Sequence, residues 1–324
     1  MPKKLVIDVD PGIGDAIAII AALLDPELDV LALTATSGCV SGAIATRNLQ
    51  AIVEQLDIPK WPRIGAAATP PDPSTDSELT SRPAMRLLER LNGPGGLGEH
   101  VAEVAELLHH RESSKLLADL VKEEPNEITL LTLGPLQNVV AASERSQDFL
   151  NQLAGCVCLG GSLTVGGDVT AAAEANMLLA PEAARSVIRS AAPKLLIPLD
   201  VSNKVTLTLE QVQSLGSGKS RAGQFLHRLL QYALRAHHAH LGMESLLLRE
   251  VVALAAIARP QLFRTEMVHL DVELRGELTR GMTIHDRRID AASPNTAVAI
   301  DVDAAGVIDY LSDVILKYGR DSSD

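Results

Sequence analysis

The sequence predicts an α/β fold, with a mostly parallel central sheet, helices on both faces and a small antiparallel extension near the C-terminus. Three observations carry this expectation. Short β-branched runs alternate with longer segments of helical period over the first two thirds of the chain. The strand runs are almost continuously apolar, as strands buried on both faces require. The chain is 324 residues long and 46% hydrophobic, enough for one large core. No linker or internal repeat divides it, so residues 1–324 are read as one domain.

Taken in order, "KLVIDVD" (4–10) reads as a buried strand and "DAIAIIAALL" (15–24) as a helix stopped by Asp25-Pro26. "LDVLALTAT" (28–36) is a second strand, followed by a helix through residues 45–56. Residues 66–98, rich in Pro, Gly, Ser and Thr at both ends, read as a long surface loop with room for a short helix. Strands are expected at 127–134, 154–161 and 193–200, and helices at 101–109, 115–122, 136–144 and 181–190. The last third changes character. A long polar-faced helix (219–240) precedes an apolar one (245–258). Shorter strands follow at 267–274, 278–286 and 296–303, and a helix (304–317) comes last.

Composition excludes several functions. The net charge is −12 and no Lys/Arg run supplies a basic patch, which argues against a nucleic-acid partner. The longest apolar runs fall far short of a membrane span. There are three cysteines, Cys39, Cys156 and Cys158, and no secretory segment is read. That sparse, odd count points to a reducing cytoplasm rather than a disulfide framework. With only three Phe, three Tyr and one Trp, the core must be built from Ala, Leu, Val and Ile.

The chemistry concentrates in "DVDPGIGD" (8–15). Residues two apart on a strand share a face, so Asp8 and Asp10 lie on one side where the first strand ends. Pro11-Gly12 turns the chain and Asp15 opens the next helix. Ligands of open α/β sheets bind beyond the carboxyl ends of the strands. Three carboxylates there repel one another unless a cation or a shared proton compensates, and hard oxygen ligands suit Ca²⁺ or Mg²⁺. A simpler reading makes Asp15 an N-cap and Asp8 a solvated strand end.

The pattern resembles the inosine-uridine-type nucleoside hydrolase family. The family hallmark D-x-D-P-G-x-D-D-A appears here as "DVDPGIGDA". "TLGPLQN" (132–138), "GGSLTVGGDVTAAAEANMLLAPEAA" (160–184), "PLDVSNK" (198–204) and "GELTRGMTIHDRR" (276–288) are similar to later family segments, in the same order. The resemblance implies an α/β enzyme, usually a dimer or tetramer. Such an enzyme cleaves the N-glycosidic bond of nucleosides with water and a bound Ca²⁺. It implies Asp10 as the base that activates water. Asp10, Asp15, the Leu133 carbonyl and Glu250 would be the metal ligands. Glu174, Asn176 and Asp168 would hold the ribose hydroxyls. The expected partner is a small nucleoside-like molecule.

Several positions depart from the family pattern. Gly14 replaces the first Asp of an Asp-Asp pair that normally meets a ribose hydroxyl. Cys39 stands in place of an Asn at the substrate. A His-Asp pair maps onto Arg249-Glu250, and "NGPGGLG" (92–98) lacks its usual His. Arg249 is a fixed cation with no exchangeable charge. It suggests binding of an anionic group, or a paralogue that binds a ribosyl or anionic ligand without turnover. Four further residues are candidates for a supporting or pocket role: Asp8, Asn92, Tyr232 (to stack on a base) and His238. The last lies within "HHAH" (237–240), which also reads as a solvated helix end.

Overall fold

The computed structural model of the chain describes residues 1–68, 83–102, 104, 111–216, 220–290 and 292–318. Its strands are β1 (Lys3–Val9), β2 (Leu28–Ala35), β3 (Arg63–Ala66), β4 (Arg111–Glu112), β5 (Ile128–Thr132), β6 (Gly155–Leu159), β7 (Lys194–Ile197), β8 (Thr206–Thr208), β9 (Ser245–Leu247), β10 (Phe263–Val268), β11 (Leu270–Val272), β12 (Thr283–His285) and β13 (Thr296–Val302). Nine of them form one sheet in the order β10-β13-β7-β6-β5-β1-β2-β3-β4. Every neighbouring pair in it is parallel except β10 with β13. Small antiparallel pairs, β8 with β9 and β11 with β12, lie outside it. This is the α/β architecture the sequence predicts.

From β1 the chain builds the sheet outward through β2, β3 and β4, then returns to add β5, β6 and β7 on the other side. The order therefore reverses between β1 and β5. A crevice opens at such a point because the connections leave in opposite directions, and it is where ligands of open α/β sheets bind. Asp10 follows β1 and Leu133 follows β5, so both stand at that crevice.

Alternation along β1 divides the core. Leu5, Ile7 and Val9 join the larger apolar cluster with the helices Ile13–Leu24 and Arg249–Ala258. Val6 faces the other side, among Leu130, Cys156, Cys158 and Leu117. Helix Ile13–Leu24 is buried almost all round because it is sandwiched between the sheet and helix Arg249–Ala258. That packing brings Gly14 and Glu250 together.

Several boundaries differ from expectation, each for a local reason. The apolar run 245–258 divides at Leu248 into β9 and a helix, since Ser245–Leu247 pairs with β8. The run at 278–286 contracts to β12. The last helix ends at Asp313 and continues as a wider turn, Val314–Tyr318. Strands β3, β4, β8 and β9 are two to four residues long, too short to carry a period. Of the expected helix 101–109, residues 103 and 105–109 lie outside the described residues, as do 69–82 of the long loop and residue 219 of the polar-faced helix. The loop's end is described, and it contains helix Pro83–Asn92.

Candidate active site

The turn after β1 is fixed from three directions. Asn48 Nδ2 donates to the Pro11 carbonyl (3.0 Å) and to that of Gly95 (2.8 Å), tying the turn to the glycine-rich loop. Asn92 Oδ1 accepts from the Ile13 N–H at 2.9 Å and so caps the helix from outside. Asp15 Oδ2 accepts from the Gly12 N–H at 2.8 Å. The structure places Gly12, not Asp15, at the N-cap; Asp15 stands at the third helical position, and only this one oxygen reaches back to serve the helix end. The other, Oδ1, is buried with no hydrogen-bond partner.

Asp10 is held between two glycines. A Cβ on Gly38 would lie 1.9 Å from its Oδ2 and one on Gly134 would lie 2.4 Å from its Oδ1, so no larger residue fits beside it. Its Oδ2 accepts from the Cys39 N–H at 2.5 Å, and the Cys39 thiol donates to the Asp10 carbonyl at 2.8 Å. Cys39 is therefore tied to Asp10 through both its amide and its side chain.

Asp8 lies beneath the cavity, fully buried. Its Oδ1 accepts from the Thr34 hydroxyl (2.6 Å) and from Asn138 Nδ2 (2.8 Å), while Oδ2 has no partner. Asn138 also donates to the Ala35 carbonyl at 2.8 Å, which links β1, β2 and the helix Gln137–Arg145.

The opposite wall comes from the segment after β6. Glu174 caps the short helix Ala175–Leu179; its Oε2 accepts from the N–H groups of Gly161 (2.9 Å) and Met177 (3.1 Å). Asn176 Nδ2 donates to the carbonyls of Leu133 (2.7 Å) and Leu159 (3.1 Å). Its amide thus joins the ends of β5 and β6 and fixes the Leu133 carbonyl. Asp168 accepts from the Ala175 N–H at 3.1 Å and pairs with the Arg249 guanidinium. Arg249 Nε donates to Asn203 Oδ1 at 2.7 Å.

These groups line a cavity of about 80 Å³, among them Asp10, Asp15, Asp168, Glu174, Asn176 and Glu250. Cys39, Asn92, Leu133 and Arg249 complete its polar wall. A second cavity of about 140 Å³ adjoins it, sharing Leu88, Asn92, Asp168, Arg249 and Glu250. Its remaining wall is mostly apolar, with Ile13, Ile17, Leu91 and Leu246, and it includes His237. A charged chamber therefore opens into a mostly apolar one.

Charge is crowded in the first cavity. Burial pushes Asp10 up to about 7, against the Cys39 N–H, with Glu250 adding repulsion. Burial and then the charges of Asp10 and Glu250 raise Asp15 well above the carboxylate range. Burial and Asp168 push Glu174 up to about 8. Burial raises Glu250 as well, and Arg249 beside it opposes the rise. Such a cluster stays charged at neutrality only with a compensating cation. The donor set fits one: hard carboxylate oxygens, a carbonyl, and an Asp15 oxygen that is buried and unpaired. Among the described residues, no three such side chains already converge as a finished cage.

Two sequence candidates lie elsewhere. Tyr232 packs against Gly98 and lines a separate cavity with His100 and Arg47, because its helix turns that face toward the glycine-rich loop. His238 is exposed and pairs with Glu244 at 3.1 Å. Its neighbour His237 points the other way. It is buried, its Nδ1 lies 2.9 Å from the Ala233 carbonyl, and it reaches the apolar cavity. A helical wheel with Ala233 and Ala236 on the buried face separates the two histidines.

The model of the family "Inosine-uridine preferring nucleoside hydrolase" matches residues 5–309. The chain belongs to the inosine-uridine preferring nucleoside hydrolase family. It is 30% identical to uridine nucleosidase 1 of Arabidopsis thaliana, across 97% of this chain and 94% of that one. It is 30% identical to the pyrimidine-specific ribonucleoside hydrolase RihA of Escherichia coli, across 98% of this chain and all of the other. A solved plant nucleoside hydrolase superposes with a TM-score of 0.86 at 29% identity, covering 97% of this chain and 99% of that chain. A purine-preferring ribonucleoside hydrolase from Gardnerella vaginalis also gives 0.86, at 26% identity, covering 98% and 99%. Membership of this family makes the chain an enzyme of the nucleoside N-ribohydrolase type. Among the described residues, no helix is long and apolar enough to cross a membrane.

Proposed function

We propose that the chain hydrolyses a ribonucleoside to ribose and free base, with Asp10 as the base that takes a proton from water. The reading rests on one observation. The cavity beyond β1, β5 and β6 brings together Asp10, Asp15, Asp168, Glu174, Asn176 and Glu250, residues spread over most of the chain. The sugar occupies this charged cavity and the base the apolar one beside it.

The chemistry suits these groups. Cleaving C1′–N leaves an oxocarbenium-like sugar, and carboxylates around it stabilise the growing positive charge. Asp10 is oriented by the Cys39 N–H and has a proton affinity near neutrality, which suits a general base. Glu174, its carboxylate anchored at a helix N-terminus, and Asp168 accept hydrogen bonds from sugar hydroxyls. Asp10, Asp15, the Leu133 carbonyl and Glu250 would hold Ca²⁺. That ion would offset their mutual repulsion and acidify water. Arg249 is already engaged by Asp168 and Asn203. This favours a role in holding Asp168 over capture of a free anion.

The relatives named for uridine and for pyrimidine nucleosides set the first substrates to try. With Ca²⁺ supplied, uridine, cytidine, inosine and adenosine are incubated with the protein, and free base and reducing sugar are quantified. Equal amounts of base and ribose from at least one nucleoside are expected. No release from any of them, or release of a phosphorylated sugar only when phosphate is present, contradicts the proposal.

A further inference from the structure

We propose that Gly14 is a positioning residue: its missing side chain leaves the space from which the Glu250 carboxylate reaches the junction of the two cavities. This rests on the functional reading above.

The argument begins with what Gly14 does not do. It lies in the first turn of helix Ile13–Leu24 and is not among the glycines with positive φ, so the backbone there does not require glycine. Glycine is also a poorer helix former than alanine. The requirement comes from outside the helix. A Cβ on Gly14 would lie 2.1 Å from Glu250 Oε2, 2.4 Å from its Cδ and 2.9 Å from its Oε1. The carboxylate of Glu250 therefore occupies the place where a side chain at position 14 would begin.

The obstruction is the far end of a flexible side chain, not backbone. Adding one methyl group at position 14 thus displaces a carboxylate and spares the fold. Glu250 lines both cavities. Its displacement removes a negative group from the point where sugar, base and cation sites meet. Positions 14 and 250 then act as one unit: a bare first turn and a long acid opposite it.

The test is a double-mutant cycle on the full chain, using Gly14→Ala, Glu250→Ala and both together, with Gly14→Ala/Glu250→Asp as the conservative rescue. Ca²⁺ affinity is read by calorimetric titration and stability by thermal melting, so the cycle does not depend on turnover. Gly14→Ala should weaken Ca²⁺ binding by roughly 10–100-fold, the range for residues that orient a metal ligand, and Glu250→Ala, which removes the carboxylate itself, by at least as much. The double variant should be no weaker than Glu250→Ala alone. The shorter acid in Gly14→Ala/Glu250→Asp should recover part of the loss. In the Glu250→Ala background the clash is gone, so Gly14→Ala should raise the melting temperature. Multiplicative losses, or a Gly14→Ala variant that binds Ca²⁺ like the parent, overturn the proposal. If the parent binds no Ca²⁺, the functional reading fails on that point, and the melting cycle still decides the coupling. Equal melting shifts from Gly14→Ala in both backgrounds would then refute it.

Discussion

Asp10→Asn lowers kcat on any nucleoside the protein cleaves by roughly 10²–10⁴-fold, the usual contribution of a general base. The amide matches the carboxylate in size, so it fits between Gly38 and Gly134. Its oxygen can still accept from the Cys39 N–H. It cannot take a proton from water. Burial lifts Asp10 to about 7, close to the pH at which a base is most useful. The effect should therefore appear in kcat at saturating substrate and saturating Ca²⁺, with the circular dichroism spectrum preserved. Steady-state kinetics with Ca²⁺ present measures it. A kcat within a few-fold of the parent removes Asp10 from the base role.

Calcium should stabilise the protein more at higher pH. Asp8 and Asp10 rise from 3.8 to about 7 on folding, and Glu174 from 4.5 to about 8. Between those values the folded chain holds more protons than the unfolded chain. Stability therefore falls as pH rises through this window in the absence of a cation. Each unit of elevation corresponds to about 1.4 kcal/mol, and each kcal/mol to about 2–4 °C in a protein approaching this size. A cation that binds the ionised carboxylates removes the part of the penalty that falls on Asp10 and Asp15. The calcium-induced rise in melting temperature should then be several degrees larger near pH 8 than near pH 5. Scanning calorimetry of chelator-treated protein, with and without calcium, measures the difference. A shift that is absent, or the same at both ends of the range, contradicts a cation bound by these carboxylates.

Much of the site could be read from the sequence because its residues fall at the ends of strongly patterned strands. Asp10 after β1 and Leu133 after β5 could be placed once those runs were read as neighbouring parallel strands. The motif resemblance placed Glu174, Asn176, Asp168 and the Arg249-Glu250 pair, and the structure brings all of them to one cavity. What the sequence could not convey was mutual arrangement. The strand ends at Val9, so Asp10 follows it rather than sharing a strand face with Asp8, which lies deeper where Thr34 and Asn138 enclose it. In "HHAH" the cavity-facing side turns on a single residue. His237 aligns with Ala233, one turn earlier on the buried side, and His238 does not. The apolar spacing of the helix was the signal that favours His237. Gly14 read as a loss in the sequence. Only the packing of helix Ile13–Leu24 against helix Arg249–Ala258 shows that Glu250 fills its place.

A crystal structure of the protein soaked with ribose and Ca²⁺ tests the central claim most directly, because it asks whether sugar and cation share the cavity beyond β1 and β5. The account predicts ribose hydroxyls against Glu174 and Asp168, and a cation against Asp10 and the free Oδ1 of Asp15. Ribose bound outside this cavity, or a cavity holding ribose with no cation at Asp10 and Asp15, would contradict it.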